Sequence, residues 1–301
     1  MRESVSVVIP TFNSGKYIVD AVTSALNQTY PCEIIVVDDG STDDTASQLA
    51  PFAGRIKYIR QANQGVSVAR NNGIRQAGGD WVALLDADDL WHPQKIEVQL
   101  MALSRLGDAS GIGMIGSRGS KVMPAALSFQ PSVRRLEIRD FMLTLPISPS
   151  SVLIRRSCFD KIGWFDPKFG PAADRDMWLR IAANYGVLEV SSPCWWYRVH
   201  EKQMSRKSMQ MNQEFRQVVH KFFVENLKEK RLRNLACSYI YIDAALAQLD
   251  EKRRLPAIMS LIRSFLLHPL PHRDRLRPHG FRLKLMARML LGSEKRGDVE
   301  G

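Results

Sequence analysis

The chain has 301 residues, 45% of them hydrophobic and 24% charged, with a formal net charge of +11. That length and balance exclude a disulfide-stapled miniprotein and a disordered chain, and allow one sizeable core, or one core plus a smaller second module. The positive excess is uneven: residues 251–301 hold twelve Lys/Arg against five Asp/Glu, so this tail alone carries +7.

Four cysteines, Cys32, Cys158, Cys194 and Cys237, lie far apart and form no C-x-x-C pair. A zinc site or redox dithiol is therefore not expected, and a reduced, cytoplasmic setting is the simplest reading. Residues 1–10 include Glu3 and lack a long apolar run, so they read as a strand and not as a signal peptide. No stretch reaches the roughly 18 apolar residues that a membrane-spanning helix needs.

Strand and helix patterns alternate from the start. Val5–Ile9 is an apolar strand that ends at the polar turn Pro10–Gly15. Tyr17, Ile18, Ala21, Val22, Ala25 and Leu26 have helical spacing. Glu33–Val37 is a second strand, leading into Asp38-Asp39-Gly40-Ser41-Thr42-Asp43, where Ser41 or Thr42 is expected to cap a helix over 44–53. Ile56–Ile59 is a third strand, followed by the loop Gln61–Gly65 and a helix over 66–77. A fourth strand, Asp80–Leu85, runs into Asp86-Ala87-Asp88-Asp89.

Four strands with crossover-length connections predict a mostly parallel α/β sheet covered by helices on both faces. Ligands of such sheets sit beyond the carboxyl ends of the strands. Pro10-Thr11, Asp38-Asp39, Gln61–Gly65 and Asp86–Asp89 should all reach that rim. Three carboxylates within four residues are costly inside a protein unless something positive neutralises them. A hard divalent cation shared with substrate phosphates would do so, whereas a solvated helix-capping turn would need no ligand.

Further along, a helix is expected from His92 and strands at Ile112–Ile115, Ser150–Ile154, Val187–Val190 and Cys194–Val199. Residues 117–139 show no clear period and read as a loop. A helix is expected over Ala172–Ala183. After Ser205 the pattern becomes helical, with basic linkers, over 213–227, 232–248, 255–267 and 281–291. The expected division is an α/β domain at 1–205 and a basic helical region at 206–301.

Four spaced segments carry a family likeness: Val5-Ser-Val-Val-Ile-Pro-Thr-Phe-Asn13, Val36-Val-Asp-Asp-Gly-Ser-Thr-Asp43, Gly65 with Ala69-Arg-Asn71, and Leu85-Asp-Ala-Asp-Asp89. Together, in this order, they resemble the family 2 glycosyltransferases over roughly residues 5–205. The likeness implies a GT-A fold and an inverting enzyme that uses a nucleotide-sugar, with UDP-sugar favoured over GDP- or dTDP-sugar. It implies Pro10 and Thr11 in the base and ribose pocket and Asp39 on the base. Arg70 would face the diphosphate, although a salt bridge to a nearby acid competes. Asp86 and Asp88 form the family's Asp-x-Asp, and alternation in an extended segment would aim them the same way. Asp88 is the first choice as ligand of Mg²⁺ or Mn²⁺, and Asp86 would hold ribose or a metal-bound water. Asp89 would touch the sugar or cap the next helix. Tyr197-Arg198-Val199-His200 fits a family pattern whose His approaches the metal or diphosphate.

The family's general base lies in an acidic pair before a Trp-Leu-Arg helix. Here the stretch is Ala173-Asp174-Arg175-Asp176-Met177-Trp178-Leu179-Arg180, so the usual Glu is an alanine. Residues two apart on a helix point about 200° from each other, so one acid only can face the crevice. Asp174 shares a face with Trp178 and Ile181. Asp176 is spaced to pair with Arg180 in solvent. Asp174 is therefore the expected base, with a plain N-cap as its structural alternative.

The basic tail reads as a solvated charged face or as a dock for an anionic membrane surface, with Arg253, Arg254, Arg273, Arg275, Arg277 and Arg282 as cations and Leu266, Leu267 and Phe281 as apolar contacts. Few aromatics and no recognition motif argue against nucleic acid. The expected activity is transfer of a sugar to a glycan or lipid-linked acceptor in envelope or exopolysaccharide assembly, at the inner face of the cell membrane. A sugar-phosphate nucleotidyltransferase and a silent membrane scaffold are the rival readings.

Overall fold

The computed structural model describes residues 3–120, 127–128, 130–200, 203, 208–225, 230–269 and 281–291. The chain divides into two compact units, Met1–Gln203 and Met204–Gly301.

The first unit is built on one sheet. Its opening half runs β1 (Val5–Thr11), α1 (Gly15–Leu26), β2 (Glu33–Asp38), α2 (Thr45–Leu49), β3 (Lys57–Arg60), α3 (Val66–Gln76) and β4 (Trp81–Leu84). The four strands are parallel in the order β3-β2-β1-β4. All seven residues of β1 are buried, which is why its sequence is mostly apolar instead of alternating. Gly73 lets α3 lie close on this strand: a Cβ there would stand 2.4 Å from Val8 Cγ1. Helix α2 is shorter than expected, continuing as a 3-10 turn over Ala50–Phe52. Neither Ser41 nor Thr42 caps it. Asp43 instead accepts the Thr45 N–H at 3.0 Å, and Ser41 Oγ accepts the Asn13 N–H.

The second half is mixed in direction. It comprises β5 (Leu90–Trp91), α4 (Lys95–Ser104), β6 (Ile112–Ser120), β7 (Val133–Leu136), α5 (Ile138–Leu143), a 3-10 turn over Pro149–Ser151, β8 (Leu153–Arg155), α6 (Cys158–Ile162), α7 (Ala173–Asn184) and β9 (Gly186–Trp196). The strand order is β3-β2-β1-β4-β8-β6-β9-β5, with β7 on β9. β8 lies antiparallel between β4 and β6, and β9 returns parallel to β6. The sheet is thus parallel where the early loops gather and reverses beyond β4.

Two sequence expectations change here. The span 117–139 is not one loop: β6 extends to Ser120, and β7 and α5 follow. The two strands expected at Val187–Val190 and Cys194–Val199 are a single β9, whose pairing with β6 shifts register around Arg118. Such bulges hide a strand from a period-2 reading. No disulfide joins the four cysteines.

One buried polar contact is unusual. Lys95 is fully buried, with Nζ 2.9 Å from Gln99 Oε1 and 4.2 Å from the centroid of the Trp91 ring. Burial lowers its pKa to about 7 from 10.5. Gln99 in turn donates to the carbonyls of Ile115 and Ser151.

Among the described residues the second unit holds four helices: α8 (Ser208–Glu225), α9 (Lys230–Asp250), α10 (Arg254–Leu267) and α11 (Phe281–Leu291). Ile242, Ala245, Ala257, Leu261, Leu285 and Met289 form its core. Small residues bring α9 and α10 close, and Ser238 Oγ lies 2.8 Å from Ser264 Oγ. Arg282 is not a surface cation: it is 5% exposed and donates to the carbonyls of Ser264 and His268. Phe281 packs against the core. Arg273, Arg275 and Arg277 lie outside the described residues. No helix among the described residues is long and apolar enough to cross a membrane.

The Lys95 environment gives a stability test. Between about pH 7 and 10.5 the unfolded chain binds a proton at Lys95 that the folded chain does not. Stability should therefore rise with pH through that window. Lys95→Met should remove one proton from the slope, measured by urea unfolding across pH 7–10; an unchanged slope would contradict the buried neutral amine.

Candidate active site

The carboxyl ends of β1, β2 and β4 and the amino end of α3 meet on one rim. At β2, Asp38 accepts from the Ser41 N–H at 2.8 Å and from Tyr58 Oη at 2.7 Å, so it braces its own turn. Asp39 is 3% exposed and accepts three bonds: Gln61 Nε2 at 2.8 Å, Gln64 N–H at 2.9 Å and Gly65 N–H at 2.7 Å. Gly65 serves this contact with φ of 90°, a region that other residues rarely adopt. A carboxylate has about four acceptor positions, so Asp39 keeps one for a ligand. Pro10 and Thr11 end β1 beside it, and Thr11 Oγ1 is buried with no hydrogen-bond partner. An orphaned hydroxyl at a strand terminus is a natural contact for a bound molecule.

The acidic segment after β4 is a turn, not an extended run. The Asp89 N–H donates to the Asp86 carbonyl at 3.0 Å, which removes the alternation expected of Asp86 and Asp88. Each carboxylate then has its own partner. Asp86 Oδ1 pairs with Arg70 Nη2 at 2.7 Å. Asp88 Oδ2 lies 2.7 Å from His200 Nε2. Asp89 accepts from Ser150 Oγ at 2.5 Å and from the Arg198 N–H at 3.3 Å. Asp89 caps no helix: it precedes the short β5 and is 2% exposed.

Positive charge is nonetheless scarce here. Burial and then the Asp86 charge raise the Asp88 pKa, while His200 lowers it. Burial and Asp86 push Asp89 up to about 8, against the hydrogen bond from Ser150. Were all three carboxylates ionised, the turn would carry more negative charge than Arg70 offsets, and burial together with that mutual repulsion is what raises Asp88 and Asp89. A hard divalent cation fits that imbalance, with Asp88 and His200 as the nearest protein donors. Among the described residues no group of three or more His, Cys, Asp or Glu side chains could hold a metal ion. Remaining ligands would have to be water and substrate oxygens, the usual pattern for Mg²⁺.

Arg70 joins the acidic turn to α7. It is 5% exposed, and its guanidinium lies 5.5 Å from the Phe165 ring centroid. Asp174, in the first turn of α7, is 8% exposed and feels both Arg70 and Asp86. Burial raises its pKa to about 6, with Arg70 the largest opposing influence. It is not the N-cap residue of α7; that position is Ala172. Helix α3 fixes this approach through Ser67 Oγ to the Phe169 carbonyl at 2.9 Å and a reciprocal pair between Asn71 and Phe165.

Asp176 does pair with Arg180, at 2.6 Å, but the pair is not solvated as expected. Asp176 is 4% exposed, and Arg180 also donates to the carbonyls of Ile162 and Trp164. The pair anchors α7 to the turn before it.

Beside the turn is an open cleft of about 850 Å³, walled by Tyr17, Trp91 and Trp196 with Lys16, Asp20 and Arg198 between them; His200 closes one end. Arg198 spans it, donating to Asp20 at 2.9 Å with its guanidinium 5.0 Å from the Tyr17 ring centroid.

Ser150 was not legible as a site residue. Its hydroxyl donates to Asp89 and accepts the Asp86 N–H at 3.1 Å, and its carbonyl accepts from Trp91 Nε1 at 2.6 Å. One fully buried serine thus holds both ends of the acidic turn. A serine before an apolar strand carries no distinguishing pattern.

A parallel half-sheet bearing an acidic turn at the rim, continued by a reversed strand and a second parallel pair, is the architecture of the GT-A fold. Its likeness to solved structures is of that fold. One is a mannosyltransferase, PcManGT from Pyrobaculum calidifontis, in complex with GDP-Man and Mn²⁺ (TM-score 0.63, 20% identity, 97% of this chain and 86% of that one). Another is S. aureus TarS 1-349 in complex with UDP-GlcNAc (TM-score 0.58, 17% identity, 91% and 94%). The sequence profile described as Glycosyl transferase family 2 matches residues 6–163. An uncharacterized glycosyltransferase of Rickettsia typhi, RT0329, is 31% identical over 76% of this chain and 74% of its own length. A Rickettsia felis relative is 29% identical, but only 41% of its length is covered. The chain belongs to glycosyltransferase family 2.

Ser150→Ala should leave a buried Asp89 oxygen and the Asp86 N–H without their partner. The expected cost is about 1–3 kcal/mol of unfolding free energy, read by urea denaturation. A variant as stable as the parent would show that the serine does not hold the turn.

Proposed function

We propose that this chain is a metal-dependent, inverting glycosyltransferase. In this reading it moves a sugar from a nucleotide-sugar, UDP-linked by preference, to a hydroxyl of a glycan or lipid-linked acceptor. The setting is envelope or exopolysaccharide assembly at the inner face of the cell membrane. The observation that carries the reading is electrostatic: Asp174 and Asp86 influence each other, with Arg70 acting on both. Two carboxylates 88 positions apart are thus near enough to share Arg70, which supports reading them as parts of one site.

The roles follow from chemistry. Thr11 and Pro10 would line the nucleoside, and the free acceptor position of Asp39 would take a base imide N–H. Asp86 and Arg70 would hold ribose and diphosphate, and Asp89 the sugar. Asp88, with His200, would hold Mg²⁺ or Mn²⁺, which when bound offsets charge on the departing nucleoside diphosphate. Asp174 would accept the proton of the attacking hydroxyl, a contribution of about 10²–10⁴ in rate. With its pKa raised to about 6, it is mostly ionised at neutral pH and basic enough to take that proton. The PcManGT complex with GDP-Man and Mn²⁺ and the TarS complexes with UDP and UDP-GlcNAc support a nucleotide-linked donor and a metal.

A thermal-shift panel of nucleotide sugars with Mn²⁺ should identify the donor. With that donor, Asp88→Ala is expected to abolish metal-dependent turnover while the protein stays folded; full activity would remove the metal assignment. Asp174→Asn should keep nucleotide affinity and lose transfer by about 10²-fold or more. The parent's rate should fall about tenfold per pH unit below about 6, because protonation removes the base. A rate flat to pH 5 would contradict the assignment of Asp174.

A further inference from the structure

The second unit presents a surface that the catalytic reading does not use. On α10, Ala257, Ser260, Leu261 and Ser264 face inward. Leu255, Met259, Ile262 and Leu266 are 77%, 52%, 39% and 78% exposed. Spacings of four, three and four place these side chains within about 60° of one another around the helix. Single exposed leucines are ordinary, but an aligned row is not.

Cations outnumber acids around this row, although Arg253 pairs with Glu251 at its start, at 3.6 Å. Neither α10 nor α11 contains an acidic residue, and residues 252–291 hold ten Lys/Arg against one acid, Asp274. Arg254 and Arg263 are exposed beside the row. Arg263 lies 5.8 Å from the Tyr241 ring centroid on α9. On α11, Leu283 is 66% exposed next to exposed Lys284. An apolar row flanked by cations suits a helix lying in the headgroup plane of a bilayer. A second copy of this surface would set like charges against each other, whereas anionic lipid complements them.

We propose that the outer face of α10 docks on an anionic membrane surface. Leu255, Met259, Ile262 and Leu266 enter the boundary between headgroups and acyl chains, and Arg254 and Arg263 meet lipid phosphates. The proposal sharpens the membrane part of the function above and rests on no donor or metal assignment, so either can fail alone.

The test uses the full chain without nucleotide or metal. It is sedimented with vesicles of phosphatidylcholine alone and of phosphatidylcholine and phosphatidylglycerol in equal parts. Binding to the mixed vesicles, weak binding to the neutral ones and release by salt are expected. The double variant Leu255→Ser, Leu266→Ser should keep its unfolding midpoint and lose affinity by roughly tenfold per leucine. Val224→Ser, at a 72% exposed position on α8, should bind like the parent. Three results would overturn the proposal: no binding of the parent to the mixed vesicles, undiminished binding by the double variant, or a self-associated parent that the double variant turns into monomer.

Discussion

Everything in the first unit is arranged around a shortage of positive charge. Three carboxylates occupy one tight turn, and Asp86 raises the pKa of both its neighbours. Such a turn is unfavourable unless each carboxylate is separately held. Arg70 comes from α3, Ser150 from the turn before β8, and His200 from beyond β9. Three distant parts of the chain must therefore be correctly folded before the turn is tolerable. What they leave uncompensated is the attraction available to a cation, and only through that cation to a diphosphate.

Helix α3 does most of the joining. Its glycine lets it press against β1, its arginine balances Asp86, and Ser67 and Asn71 hold the segment that leads into α7. The proton acceptor proposed for catalysis is placed by the same helix that steadies the acidic turn. Gln99 and Trp91 support the opposite side through the carbonyls of Ser151 and Ser150. The fully buried Lys95 beneath them shows that this layer tolerates polar atoms provided they are hydrogen-bonded.

Much of this was legible in the sequence because it depends on local pattern. Apolar runs ending in Pro10-Thr11, Asp38-Asp39 and Asp86–Asp89 gave the parallel half and its rim. The later half was harder because pairing there is non-local. β7 exists by pairing with β9, and β9 is bulged against β6, so neither leaves a clean alternation. The orientation of the acidic residues was misjudged for a related reason. A hydrogen bond from Asp89 to Asp86 closes a turn that spacing alone would read as extended. Asp176 was assigned to solvent because charge pairs at i, i+4 usually lie there, and the backbone carbonyls that bury its partner come from residues 162 and 164. Ser150 had no signal at all, since its role is defined by two residues more than sixty positions away.

The most direct measurement is a crystal structure of the full chain with Mn²⁺ and UDP. The account expects the ion bonded to Asp88 and to diphosphate oxygens, the uracil beside Asp39, and the Asp174 carboxylate opening on the space beyond the diphosphate. An ion bound elsewhere, or an Asp174 walled off from that space, would contradict it.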